Sequence, residues 1–363
     1  MSFHGSYRPQ DVEFLLKPIQ VEHIENTRQK EQLIQTGARH YSEMLSPETL
    51  PSERYLQLFA QAHAMNRSRM ARDCLTLAEL IRRNVGPNPT LVSLARAGTP
   101  VGAILTHLLR ELTGKPIAHY SVSIIRDRGI DANALDEILR RGTDPSTIVF
   151  IDGWTGKGVI TDELTDAIEI YNTRRGTHIR AHLYVLADLA GKAFCAASAE
   201  DYLIPSSILN ATISGLISRS VLNHAIGPQD YHGCVYFSQF SAHDRSIWFV
   251  EDMVSEARQQ MNTHWQDNVQ PADTAHAADC AQVFLDEEMQ RHGIQDRNLI
   301  KPGIGEATRV LLRRLPERLI VRNPEAACVQ HLLTLAHEKH VRVEHRAQMP
   351  FQAVSIIRSA LDA

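Results

Sequence analysis

TIVFIDGWTGKGVITDE, residues 147–163, decides how this chain folds. Thr147 to Ile151 are rich in β-formers and end at Asp152; Gly153, Gly156 and Gly158 then break the chain before a helical pattern opens near Val159. The spacing predicts strand, loop, helix. A continuous apolar run suits a buried parallel strand, and a glycine-rich turn into a helix leaves backbone N–H groups unpaired at the positive end of the helix dipole. Such a turn can bind phosphate. Thr155 and Lys157 add a hydroxyl and an ammonium, and Asp152 can orient a hydroxyl or a Mg²⁺-bound water. The same glycines also suit a turn that binds nothing. Neither the Walker spacing nor the dinucleotide fingerprint is present, because Lys157 is followed by Gly158 and the glycines are spaced differently.

Upstream, PTLVSLARAGTPVGAILTHLLRELTG (89–114) reads as a second strand-loop-helix unit, with the turn at Ala95 to Thr99 and Pro100 in the first helical turn. A third strand, AHYSVSII (118–125), leads into the polar RDRGID (126–131) and a helix closed by Gly142. Downstream, HIRAHLYVLADLAG carries a strand with Asp188 at its end, a candidate acceptor for a base, and PSSILNATISGLISRSVLN reads as a core helix from Pro205. YHGCVYFSQF (231–240) reads as a short strand pair. Alternating strands and helices with short connections predict an α/β fold with an open parallel sheet, its ligands at the carboxyl ends of the strands. Nearer the start, Pro51 and Ser52 open a helix with Tyr55, Leu58, Phe59, Ala62 and Met65 on one face. Just before it, HYSEMLSPE (40–48) is polar enough for His40, Tyr41 and Glu43 to reach a site.

The net charge of −4 is uneven: from Asn298 onward ten Lys/Arg face six Asp/Glu, a local +4 that leaves −8 for the remainder. A basic end on an acidic chain points weakly to nucleic acid, although solvated helix faces produce the same asymmetry. No run approaches the ~18 apolar residues of a membrane span. The start lacks the pattern of a signal peptide. Five scattered cysteines suggest neither a disulfide framework nor a zinc site. A cytoplasmic homo-oligomer that touches no membrane is expected. The 18 histidines show no metal-ligand spacing. Cys195, with His182 upstream, has no protease signature around it, and a buried structural cysteine is the simpler reading.

The segment VSLARAGTPVGAILTHLLREL resembles the pyrophosphate loop and following helix of type I phosphoribosyltransferases, and IVFIDGWTGKGVITDEL resembles their phosphoribosyl pyrophosphate loop. With HYSEMLSPE and SIIRDRGID, the DGWTGKG form is similar to the phosphoribosyltransferase-like proteins of bacterial tellurite-resistance and stress gene clusters, a family often labelled StiP cysteine protease. That resemblance covers roughly residues 5–260 and implies an enzyme using phosphoribosyl pyrophosphate and Mg²⁺. It implies that Arg96, Ala97, Gly98 and Thr99 hold pyrophosphate. Asp152 would contact the ribose and the metal, and Gly153, Trp154, Thr155, Gly156, Lys157 and Gly158 would surround the 5′-phosphate. Arg126, Arg128 and Asp131 are candidates to close over the leaving group, with a salt-bridged surface loop as the alternative. Gly153 stands where the family usually has a second Asp, so the metal position is less defined than the phosphate site.

GIGEATR (303–309) is similar to the turn of Pelota-like RNA-binding domains, which implies RNA contact by Lys301, Glu306 and Arg309 within a smaller α/β unit. A docking module that binds no RNA is the alternative. Four regions are expected: an N-terminal extension with helices (1–85), a phosphoribosyltransferase-like domain (86–262), a helical linker (263–297) and a Pelota-like domain (298–363). A sensor or RNA-binding regulator that kept the phosphate site without turnover is the alternative function.

Overall fold

The computed structural model describes residues 2–21, 23–261 and 265–359. Its larger sheet holds six strands, β1 (Glu13–Leu15), β2 (Thr90–Leu94), β3 (Ala118–Val122), β4 (Ile148–Thr155), β5 (Leu183–Asp188) and β6 (Cys195–Ser198). They lie in the order β1-β3-β2-β4-β5-β6, and every pair is parallel. The expected open parallel sheet is present. Alternate residues feed two cores: Leu91, Val149 and Ile151 pack on one face, and Val92, Leu94 and Phe150 on the other. On the first face lie α2 (Glu53–Val85), α3 (Gly98–Thr113) and α6 (Ser246–Gln260), which follow α1 (Thr27–Gln35) in sequence or space. On the second lie α4 (Ala132–Arg140) and α5 (Val159–Arg175). Ser52 caps α2 through the Tyr55 amide at 3.3 Å. The buried stripe of α2 continues through Asn66 and Met70 and leaves Met65 exposed.

Strand order places the site. The chain leaves β2 to form β3 on one side and returns to form β4 on the other, so the sheet's topological switch point lies between β2 and β4, and the crevice at their carboxyl ends is where ligands of such sheets bind. Both glycine turns of the sequence end there.

The smaller C-terminal domain has α7 (Ala275–His292), α8 (Ile304–Arg313) and α9 (Gln330–Glu338) on a sheet of β7 (Ile300–Pro302), β8 (Pro316–Val321), β9 (Arg342–His345) and β10 (Ala353–Ile357), ordered β7-β10-β8-β9. β8 runs parallel to β9 and antiparallel to β10, as does β7 to β10. The smaller α/β unit expected there is present. One apolar cluster runs without a break from Leu189 and Leu203 into Ile300, Ile304 and Leu311, so the two domains share a core.

The helix expected from Pro205 is not formed. Residues 205–207 and 211–213 are short 3₁₀ turns, because Asn210 turns its side chain onto the Thr212 amide (3.3 Å) and Gly215 takes φ +78. The apolar residues there are buried as expected. Within 231–240 only Gly233–Cys234 forms a ladder, with Lys17–Pro18.

Candidate functional site

The turn after β2 carries a cis peptide between Ala95 and Arg96 and enters α3 at Gly98, where Ala97 provides no side-chain cap. The turn after β4 enters α5 at Gly158, at φ +82 and again without a side-chain cap. Both helices therefore turn the positive ends of their dipoles to one crevice without a side-chain cap, although in the first turn of α3 the Thr99 N–H donates to the Arg96 carbonyl at 3.2 Å and Pro100 has no N–H. The turns touch. A Cβ on Gly98 would lie 2.3 Å from the Ile151 carbonyl oxygen and 3.1 Å from the Asp152 Cα, and one on Gly153 would lie 3.6 Å from the Ala97 carbonyl. Thr155 Oγ1 accepts from the Gly158 N–H at 3.0 Å and closes the second turn on itself. Asp152 accepts from the Gly153 N–H at 2.7 Å, and its surroundings push its carboxyl up to about 6 through desolvation, partly offset by that bond and by Arg309.

The C-terminal domain covers this crevice. The Pro302 carbonyl stands 2.9 Å from where a Gly156 Cβ would be, and Trp154 lies against Gly305 with the Arg309 guanidinium 4.4 Å from its ring centroid. Lys157 Nζ donates to the Arg297 carbonyl at 2.8 Å. Burial, then Lys301, pushes the Lys157 ammonium down to about 7. Arg309 pairs with Glu306 at 2.8 Å. Burial would raise the Glu306 carboxyl, but Arg309, Lys301 and Lys157 together hold it below its ordinary value.

The HYSEMLSPE segment forms a third wall. Glu48 pairs with Arg96 at 2.6 Å, and Arg96 also donates to the Ile217 carbonyl at 2.6 Å. Tyr41 lies between Arg126 (5.4 Å) and Arg219 (5.3 Å), and its hydroxyl accepts from the Arg126 N–H at 2.9 Å. Arg219 donates to the carbonyls of Tyr41 and Met44. His40 stands 3.9 Å from Asp127, and Glu43 pairs with Arg128 at 3.1 Å.

The structure thus brings Arg96, Ala97, Gly98 and Thr99 together with Asp152 to Gly158, and adds Lys301, Glu306 and Arg309 from the other domain. Thr99 is fully buried and bonds Ser121 at 2.8 Å, so its hydroxyl supports the turn from below. Two expectations need correction. Asp131 is buried and spends both oxygens on backbone, capping α4 at Ala134 (3.1 Å) and accepting from the His232 amide (2.5 Å), so it cannot close over a leaving group. Asp188 is also fully buried, accepting from the Ala190 (3.0 Å) and Ala193 (2.8 Å) amides; it shapes the loop after β5 and has no oxygen left for a base. Lys301, Glu306 and Arg309, expected to contact RNA, lie beside the glycine loop of the larger domain. Glu48, Arg219 and Arg313 were missed, although Glu48 ends a segment already singled out and Arg313 opens the Arg313-Arg314 doublet.

Cys195 is buried in β6, its thiol pushed up to about 11 by desolvation, and no hydrogen bond joins it to a histidine among the described residues. His182 instead stacks on Phe194 with ring centroids 3.5 Å apart. The cysteine that does contact an imidazole is Cys280, whose Sγ lies 3.4 Å from His276 Nε2 one turn away on α7.

Fold and site define an α/β protein with a crevice between two glycine turns at its switch point, roofed by a second domain. Residues 5–254 match the family described as tellurite-like stress resistance cysteine protease StiP, and residues 280–359 match the PELOTA RNA binding domain. The chain is 39% identical to the protein named Cysteine protease StiP of Acinetobacter baylyi, over 98% of this chain and 94% of that relative. It belongs to the StiP family, with a Pelota-like domain at its C-terminus. Similar solved structures include the hypoxanthine phosphoribosyltransferase of Trypanosoma cruzi (15% identity, TM-score 0.27, 36% of this chain and 77% of that one). Another is the xanthine-guanine-hypoxanthine phosphoribosyltransferase of Helicobacter pylori (18%, TM-score 0.22, 33% and 70%). Among the described residues no helix is long and apolar enough to cross a membrane.

Proposed function

We propose that the crevice binds phosphoribosyl pyrophosphate and that the protein is a phosphoribosyltransferase-type enzyme, moving ribose 5-phosphate to or from a base-like acceptor. The contact of the two uncapped turns, Gly98 against Ile151 and Asp152, is the observation that carries this reading. Two helix N-termini so close suit one ligand with phosphate at both ends. Departure of pyrophosphate from an oxocarbenium-like centre needs neutralisation of a polyanion and exclusion of water. The cations of the crevice and the roof over it supply both. No group of three or more His, Cys, Asp and Glu among the described residues could hold a metal by itself. Mg²⁺ would therefore enter with the ligand's phosphates, with Asp152 as the nearest carboxylate on the loop; it spreads the charge of the leaving group. The experiment is incubation with phosphoribosyl pyrophosphate, Mg²⁺ and a panel of bases, with pyrophosphate as the readout. Release with one base and not others is expected. Binding without release from any base would favour the sensor reading, to which the single acid at Asp152-Gly153 points.

Cys195→Ala separates this from thiol chemistry. It is expected to leave pyrophosphate release unchanged and to cost about 1 kcal/mol of stability as a buried side chain; lost turnover in a folded variant would count for the protease name. The Pelota match favours RNA as a further partner, through the turn that the docked arrangement holds against the loop.

Lys157 gives a pH signature. With its ammonium at about 7 in the free protein, facing Lys301 and Arg297 against Glu306 and Asp296, it is mostly neutral at pH 8 and charged at pH 6. A bound phosphate raises it, so binding at pH 8 should take up about one proton and binding at pH 6 almost none. Calorimetry in buffers of different ionisation heat measures this. Asp152 lies close in pKa, so the difference between wild type and Lys157→Arg isolates the lysine; equal uptake in both would remove it from the site.

A further inference from the structure

We propose that the C-terminal domain is part of the binding site: Lys301, Arg309 and Arg313 complete the crevice as its anion-binding roof, for a ligand phosphorylated at both ends. The inference rests on the phosphate-site reading above and adds half of the site to it.

Docking brings the groups together. Pro302 covers Gly156, Gly305 and Arg309 enclose Trp154, and Lys157 reaches the Arg297 carbonyl. Asp201 of the larger domain then fixes the roof by accepting from the amides of Ile304 (2.9 Å) and Gln352 (2.8 Å). Charge does the rest of the argument. Arg96 is neutralised by Glu48 and Arg309 by Glu306. Lys301 and Arg313, both half-buried, have neither a hydrogen bond nor an ion pair from their side chains among the described residues; the carboxylates that act on them, Glu306 and Glu48, are already paired with Arg309 and Arg96. Leaving a cation away from water without a partner is costly. Arg313 is held down to about 10 by desolvation and then by Arg96, and Lys301 is lowered by desolvation. Glu306 and Glu48 thus each serve two cations, and the positive charge left over beside two helix N-termini suits a polyanion.

This predicts opposite signs for stability and binding, which a merely structural arginine would not show. In the full chain, Arg313→Ala should melt at or above the wild-type temperature without ligand, because repulsion from Arg96 and Arg309 is removed. Its affinity for phosphoribosyl pyrophosphate with Mg²⁺, and for inorganic diphosphate, should fall at least tenfold by calorimetry; Lys301→Ala should do the same, and Arg313→Lys should keep most of the affinity. If both alanine variants bind as wild type does while Lys157→Ala loses binding, the roof is no part of the site and the functional reading survives. Wild type that binds neither phosphoribosyl pyrophosphate nor diphosphate overturns both. A lower melting temperature for Arg313→Ala with unchanged affinity makes it a structural residue and ends the proposal.

Discussion

Gly98→Ala is expected to abolish binding of phosphoribosyl pyrophosphate, at least a hundredfold by calorimetry, and to cost about 3 kcal/mol of stability. The added methyl would sit 2.3 Å from the Ile151 carbonyl oxygen. Both atoms that meet belong to backbone or to Cβ, so no side chain can swing aside; the turn after β2 and the strand end of β4 must move apart. That movement separates the two helix N-termini on which the phosphate site depends. Gly98 lies outside the left-handed region, so its role is absence of bulk rather than backbone freedom. Gly114 is the control. It ends the same helix at φ +65 with nothing within 4 Å, so Gly114→Ala should cost about 1 kcal/mol through its left-handed backbone alone and leave affinity unchanged. Equal loss from both variants would mean that the contact of the turns has no part in binding.

Asp201→Ala is the second large effect. The carboxylate accepts two backbone N–H groups of the C-terminal domain, one of them at the start of α8, where Gly303 offers no side-chain cap. Removing it leaves two partly buried amides unpaired, at about 1–3 kcal/mol each, so a loss of about 2–6 kcal/mol is expected in docking or in global stability. Asp201→Asn is no remedy, since its NH₂ would face one of the two donors. The wild-type carboxyl is pushed up to about 6 by burial, against those N–H bonds and Arg322. An acid raised on folding contributes stability in full below its unfolded value of about 4, and that contribution fades as pH rises through about 6. The variant should lack this slope in a series of melts from pH 4 to 7. Because the released turn carries Lys301 and Arg309, Asp201→Ala should also bind structured RNA more tightly than wild type in a gel shift, with affinity falling as salt rises. RNA binding identical in wild type and variant would show that docking does not mask that turn.

Much of the fold and both turns were legible in the chain itself. Continuous apolar runs at 91–94 and 148–151 mark buried parallel strands, glycines mark where backbone must come close, and the following periodicities mark α3 and α5. These are local signals: each depends on a side chain's own shape or on neighbours within a turn or two. The segment 205–217 defeated the same reading because its apolar spacing is helical while Asn210 and Gly215 compete for the backbone, and nearby tertiary packing accepts the irregular path.

Which carboxylates are free was not local information. Asp131 loses its second oxygen to the amide of His232, about a hundred residues on, while Asp188 turns both oxygens back onto amides of its own loop, so the three aspartates look alike in sequence and differ in space. The same holds for Glu48, about fifty residues before the arginine it neutralises, and for the GIGEATR turn, whose partner surface is the glycine loop about 150 residues earlier. Sequence alone determined that there is an α/β core with a glycine turn after each of two strands, since periodicity and glycine placement act over a few residues. The tertiary structure alone decided that these turns meet, that a second domain roofs them, and that Lys301 and Arg313 share their carboxylates with Arg309 and Arg96, since charge balance depends on distances that no spacing in the chain encodes.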